Sequence, residues 1–308
     1  MKIALVFPGQ GSQVIGMGQD VYQHYTASRE IFEIADQALG EDLSRLIFTG
    51  EKEELTKTVN AQPALVTTSI ALLKALQEEC KLDIACYAGH SLGEFSAYVA
   101  AGGLSFDVAV RLVRRRAELM TEAVPAGVGS MAAILGLNDD QVTIVCQEVA
   151  GNGQLVHLAN VNCPGQIVIS GTAEGVAAAS ALAKEQGAKR AIPLSVSGPF
   201  HSVLMMPAAR QFADDLQEIN FIKTTVPVYT NLTAEPAENV KLSLAQQLFS
   251  PVLWQKTIEN MIASGVDCII EVGPGTVLSG LTRKINPDIK TFSVFDQASC
   301  LQVADYFK

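Results

Sequence analysis

Ile84-Ala-Cys-Tyr-Ala-Gly89-His90-Ser91-Leu92-Gly93-Glu94 sets the architecture of this chain. A short apolar run runs directly into Gly-x-Ser-x-Gly, and residues 95–101 continue as a helical pattern that stops at Gly102-Gly103. Strand, tight turn and helix in this order make a nucleophile elbow. The serine sits on a strained turn, and a glycine on each side lets neighbouring backbone pass closely. The free N–H groups at the start of the following helix suit a developing oxyanion. A plainer reading competes. Ser91 with Glu94 three residues on fits a helix capping box, which needs no chemistry. A cap alone, however, does not require glycine at both 89 and 93.

Around this segment, short apolar runs alternate with longer helical patterns. Strands are expected at 3–7, 84–88, 226–230, 268–272 and 291–295. Helices are expected near 20–38, 62–79, 92–101, 107–123, 204–219, 251–264 and 276–285. Such alternation predicts an α/β fold with helices on both faces of a parallel sheet. The middle of the chain differs: strand 128–136, helix 138–150, strands 155–161 and 166–170, helix 174–186, strand 190–196. That β-α-β-β-α-β order is ferredoxin-like. The expectation is therefore a parallel-sheet, α/β-hydrolase-like large domain from 1–126 and 197–308, with a ferredoxin-like small domain inserted at 127–196.

The 308 residues suit two domains of roughly 100–200 residues each. Apolar residues make up 48% and charged residues 18%, enough apolar material for a sizeable core. The net charge of −10 repels phosphate backbones and anionic lipid, which argues against nucleic-acid and membrane partners. No run approaches the roughly 18 apolar residues of a membrane-spanning helix. The opening MKIALVF is apolar too briefly for a signal-peptide core and reads as a first strand. Cys80, Cys86, Cys146, Cys163, Cys268 and Cys300 form no Cys-x-x-Cys, and no histidine stands at metal-ligand spacing from them. Free thiols of a cytoplasmic protein, with no metal site, are expected.

A serine nucleophile needs a base. His24 falls in a polar helical stretch, His157 inside a strand pattern, and His90 on the same tight turn as Ser91, where neighbouring side chains diverge. His201 lies in Gly198-Pro-Phe-His-Ser, where the chain returns from the insert, and a loop between domains is a natural cleft rim. It leads as the base; its plainer reading is a loop histidine near a helix start. In 107–123, the apolar stripe of Ala109, Leu112, Val113, Leu119, Met120 and Ala123 also carries Arg116. A buried guanidinium needs an anion, so Arg116 either forms an internal ion pair, snorkels to the surface, or clamps a substrate carboxylate. Arg111, Arg114 and Arg115 fall on the opposite, solvated face. Gln10, in Phe7-Pro-Gly-Gln-Gly, can present its backbone N–H at the end of a strand, although an ordinary turn would look the same.

Five motifs together resemble one family: FPGQGSQ at 7–13, GHSLGE at 89–94, RxxxM at 116–120, GPFHS at 198–202 and EVGPG at 271–275. The family is the malonyl-CoA:acyl-carrier-protein transacylases, including the acyltransferase domains of fatty-acid and polyketide synthases. The resemblance implies that Ser91 carries the malonyl group as an ester and that His201 moves the protons. It maps two backbone N–H donors to Gln10 and Leu92, the carboxylate-binding arginine to Arg116, and a backbone carbonyl that orients the histidine to Gln247. Phe200 resembles the bulky residue of malonyl-selective members. No bound cofactor is implied: coenzyme A arrives as the substrate thioester, and phosphopantetheine arrives on the holo acyl carrier protein. A monomer is implied, and fatty-acid and polyketide pathways are equally served. An acidic carrier would need local basic residues, for which Arg111, Arg114, Arg115, Lys189 and Arg190 are candidates. Two alternatives stand beside this: a serine hydrolase or thioesterase of the α/β-hydrolase type, and a binding domain in which Ser91 is a cap and Arg116 a structural ion pair.

Overall fold

The computed structural model describes residues 1–125, 127–194 and 198–308. Five parallel strands form the large sheet: β1 (Ile3–Phe7), β2 (Ile84–Gly89), β7 (Val228–Tyr229), β8 (Cys268–Val272) and β9 (Lys290–Val294). Their order is β7-β2-β1-β8-β9, which puts β1 and β2 side by side with Phe7 opposite Gly89. Every residue of β1 and β8 is buried, as befits strands covered on both faces. Alternation sorts them: Ile3, Leu5 and Phe7 pack with the helices Thr26–Leu39, Thr58–Glu79 and Phe106–Glu122. Ala4 and Val6 pack on the other side with Trp254, Ile258, Leu278 and Leu281.

The second sheet contains β3 (Gly129–Leu135), β4 (Val156–Cys163), β5 (Gln166–Thr172) and β6 (Arg190–Pro193) in the antiparallel order β4-β5-β3-β6. This is the ferredoxin-like order expected from the sequence. The helices Asp139–Gly151 and Ala173–Glu185 cover one face through Ile134, Ile167 and Ile169, while Met131 and Val168 on the other face join the large core. The first of these helices starts in a capping box between Asn138 and Gln141. The small sheet is also tied to the large unit through the main chain. Val161 N–H donates to Val252 O at 2.9 Å, and Val252 N–H donates to Ala159 O at 2.8 Å. The expected domain boundaries, at 126/127 and 196/197, involve residues 126, 196 and 197, which lie outside the described residues, as does the end of the strand expected at 190–196.

Several expected elements need correction. The helix near 20–38 is two helices, Gln19–His24 and Thr26–Leu39, separated by an extended Tyr25. The helix near 62–79 begins at Thr58, and Pro63 sits inside it. The strand at 226–230 keeps only Val228–Tyr229, since Pro227 has no N–H to donate. Helices Leu43–Thr49, Lys52–Thr56, Val240–Gln247 and Gln297–Phe307 were not anticipated. The last two start at Asn239 and Asp296, whose side chains accept from Leu242 N–H and Ser299 N–H.

Candidate active site

Ser91 ends the turn after β2 with φ at 51°, a left-handed conformation that a non-glycine residue adopts only under constraint. The constraint is packing. A Cβ on Gly89 would lie 1.9 Å from the carbonyl of Gly93, and one on Gly93 would lie 2.2 Å from Phe7 O. The elbow is thus pressed onto itself and onto the end of β1. The capping-box reading of Ser91 is set aside by this geometry: the helix begins at Gly93, with Leu92 before it and no side-chain cap. Glu94 instead turns inward, where its Oε2 accepts from Asn231 N–H at 2.9 Å and from Gln247 Nε2 at 2.7 Å.

Ser91 Oγ and His201 Nε2 are 2.8 Å apart, and His201 Nδ1 is 2.8 Å from the main-chain oxygen of Gln247. With Nδ1 donating to that carbonyl, Nε2 is left as the acceptor that faces the serine hydroxyl. His201 also has a positive φ, 58°. Burial, with help from the charge of Arg116, pushes the imidazole down to about 3, so it is neutral near pH 7.

Arg116 is only 1% exposed. Its Nη1 donates to Gln62 Oε1 at 2.8 Å, and its Nη2 donates to Gln247 Oε1 at 2.9 Å and to Ser91 Oγ at 3.1 Å. None of these acceptors is a carboxylate, so neither an internal ion pair nor snorkelling describes it. Three of the five N–H donors of the guanidinium are engaged, and its Nε has no partner among the described residues. Desolvation lowers it to about 10, still cationic at neutral pH.

The cleft in front of these groups is lined by Gln10, Leu92 and Phe200 from the large unit and by Met131, Asn160 and Leu194 from the small one. Among the described residues, no acceptor is bonded to the main-chain N–H groups of Gln10 and Leu92. A buried Asn231 grips the elbow from behind: its Oδ1 accepts from Ser91 N–H, and its Nδ2 donates to Gly89 O, each at 2.6 Å. A neutral base, a hydroxyl on a strained turn, two free amides and a buried cation can together transfer an acyl group that carries its own negative charge.

An acyl transferase domain model matches residues 4–294, nearly the whole chain. The malonyl CoA-acyl carrier protein transacylase of Bacillus subtilis (strain 168) is 54% identical over 298 residues, which cover 96% of this chain and 94% of that protein. An acyl carrier protein S-malonyltransferase from Vibrio cholerae superposes with a TM-score of 0.95 at 44% identity, covering 98% of this chain and all of that one. A malonyl-transacylase solved with its type II polyketide-synthase acyl-carrier protein superposes at 0.96, with 42% identity, covering 99% of this chain and 100% of that chain. The chain belongs to the acyl transferase family.

Within this acyl transferase, Gln10, Ser91, Leu92, Arg116, Phe200 and His201 line the cleft, and Gln247 bonds to His201 and Arg116. His90 diverges from Ser91 as expected: its Nε2 lies 2.9 Å from Asn162 Oδ1, and its ring lies 5.6 Å from that of Trp254. His24 is exposed, and His157 lies in β4. Three of the candidate basic residues are paired: Arg111 with Asp107, Arg114 with Glu41 and Arg115 with Asp215. Sequence reasoning missed Asn231, Gln62 and the inward turn of Glu94. Asn231 follows the carboxyl end of β7, where ligand-facing residues of parallel sheets gather, and that position was the available signal. No helix among the described residues is long and apolar enough to cross a membrane, and no three metal-ligating side chains among them gather at one point.

Proposed function

We propose that this acyl transferase moves the malonyl group from malonyl-CoA to the phosphopantetheine thiol of acyl carrier protein by way of a malonyl ester on Ser91. His201 Nε2 takes the proton of Ser91 Oγ as the oxygen attacks the thioester carbonyl. The oxyanion forms against the free N–H groups of Gln10 and Leu92. Collapse breaks the C–S bond, and the departing coenzyme A thiolate takes the proton from His201. In the second half, His201 removes the proton of the pantetheine thiol, the sulfur attacks the ester carbonyl, and Ser91 leaves with the proton. The thioester enters on coenzyme A and leaves on a group that the partner protein carries, so no resident cofactor is assigned a step. Gln247 holds the histidine tautomer through its main-chain oxygen, and Phe200 bounds the space beside the acyl group.

One observation carries this reading: Arg116, buried against Ser91 Oγ with no carboxylate bonded to it among the described residues. None of the acceptors bonded to the guanidinium is anionic, and the free carboxylate of a malonyl group supplies a directly bonded anion at the length of a short diacid. The test is the intact mass of the protein after incubation with malonyl-CoA. A malonyl adduct should appear, vanish on addition of holo acyl carrier protein, and be absent from Ser91→Ala. Free malonate as the main product with carrier present would favour the hydrolase alternative.

A further inference from the structure

Behind the reacting groups lies a carboxyl group that the reaction does not use. Glu94 is fully buried on the first turn of the helix that follows the elbow. Its Oε2 is bonded to Asn231 N–H and Gln247 Nε2, while its Oε1 is buried with no partner among the described residues. The two residues it holds carry the site. Asn231 grips Ser91 N–H and Gly89 O. Gln247 donates to Ser91 O at 3.1 Å, accepts from Arg116, and orients His201 through its main-chain oxygen. The amide of Gln247 also stands between the two charges, with its oxygen on Arg116 and its nitrogen on Glu94. Both amide hydrogens and the amide oxygen are therefore committed, which fixes its orientation.

We propose that Glu94 is a positioning residue and the resting counter-charge of this site: it locks Asn231 and Gln247 through one oxygen and balances Arg116 until a substrate carboxylate does so. This rests on the malonyl-transfer reading above. With substrate bound, a second carboxylate would share one guanidinium. Two anions and one cation in a buried space are unfavourable, so Glu94 takes up a proton as the malonyl group seats. The charged and titratable groups that act on it are Arg116 from the helix Phe106–Glu122 and Tyr98 one turn further along its own helix, with His201 and His90 elsewhere in the same buried site. Burial keeps His90 and His201 neutral and raises Tyr98, and Arg116 stays cationic. Glu94 is then the one of these groups that changes charge near neutrality: burial raises it to about 7, against a smaller downward pull from its hydrogen bonds and from Arg116.

The sign follows. Above neutrality an ionised Glu94 competes with the malonyl carboxylate for Arg116, so the KM for malonyl-CoA rises with pH. The experiment compares the parent, Glu94→Gln and Glu94→Ala in steady-state malonyl transfer from about pH 6 to about pH 8. Glutamine keeps the acceptor oxygen and the shape but cannot ionise. The parent KM should rise about fivefold or more across the range. That of Glu94→Gln should stay flat, and the phosphates of coenzyme A, common to both assays, cancel in the comparison. Glu94→Ala, which frees Asn231 and Gln247, should lose kcat by about tenfold or more, and Glu94→Gln should restore it to within about threefold of the parent. A Gln variant whose KM climbs as the parent's does, or an Ala variant with the parent's kcat, overturns the proposal. Should the alanine chain fail to fold, the pH profile of the glutamine variant decides alone. Transfer by the parent in the same assay tests the function itself, so the two failures are separate.

Discussion

A guanidinium out of water and bonded only to amide and hydroxyl oxygens holds a charge that no directly bonded carboxylate neutralises, which is why Arg116 bears on substrate choice. Arg116→Ala should lower kcat/KM for malonyl-CoA by about 2–5 kcal/mol in transition-state terms, with a smaller loss for acetyl-CoA. Equal losses for the two substrates would remove Arg116 from the carboxylate-binding role. His201 gives a second prediction. Its imidazole is pushed down to about 3, so the basic form persists well below the usual histidine range. Pre-steady-state release of coenzyme A should therefore show no acid limb near pH 6.5; an inflection there would mean that the histidine titrates normally. Ser91, His201 and Arg116 were legible in the sequence because each breaks a local rule: a serine between glycines, a histidine at a domain crossing, a cation on an apolar stripe. Asn231 and Gln62 break none, since a buried amide next to a strand end or a proline looks like any polar loop or helix residue.

The elbow shows how two glycines make a local structure possible. Gly89→Ala or Gly93→Ala would drive a methyl group to within 1.9 or 2.2 Å of main-chain atoms that have no room to retreat. Either change should cost the folded protein several degrees of thermal midpoint and abolish Ser91 acylation. Gly280, inside the helix Val277–Ile285, has nothing within 4 Å of an added Cβ. Gly280→Ala should raise stability by about 0.4–1 kcal/mol in urea unfolding. A destabilised Gly280→Ala, or an active Gly93→Ala, would contradict this packing argument. Alternating apolar runs exposed the central strands and the ferredoxin-like unit because β1 is apolar throughout, β8 is apolar but for Glu271, and β3 and β5 pair with each other along their full lengths. The short helices at 43–49 and 52–56 escaped because they complete too few turns to show a period. The helices at 240–247 and 297–307 announced themselves only through their caps, Asn239 and Asp296.

In the whole molecule, buried titratable groups pull stability in opposite directions. Burial holds His90 below its ordinary range and holds His201 down to about 3, so below about pH 6.5 the unfolded chain binds protons that the native one refuses, for His201 as far as about pH 3, and stability falls with acid. Glu94, raised to about 7, does the reverse: its contribution is present below its ordinary range and is lost as pH rises through about 7. Each full proton of difference is worth about 1.4 kcal/mol per pH unit. Urea unfolding at pH 7 and pH 5 should therefore find that His201→Gln flattens the acid decline and Glu94→Gln steepens it; the opposite pair of slopes would reverse the assignments. The two sheets and their nesting were legible from element order alone. The main-chain tie of Val252 to Ala159 and Val161 was not, because such pairing carries no side-chain signature. The same independence from side chains governs the two amides that face the cleft. Gln10 N–H follows β1, Leu92 N–H follows β2, and these strands are hydrogen-bonded neighbours in register. Their separation is set by the spacing of the backbone itself, so a ligand anchored on that pair would keep its grip through any side-chain replacement at 10 or 92 except proline, which has no N–H to offer.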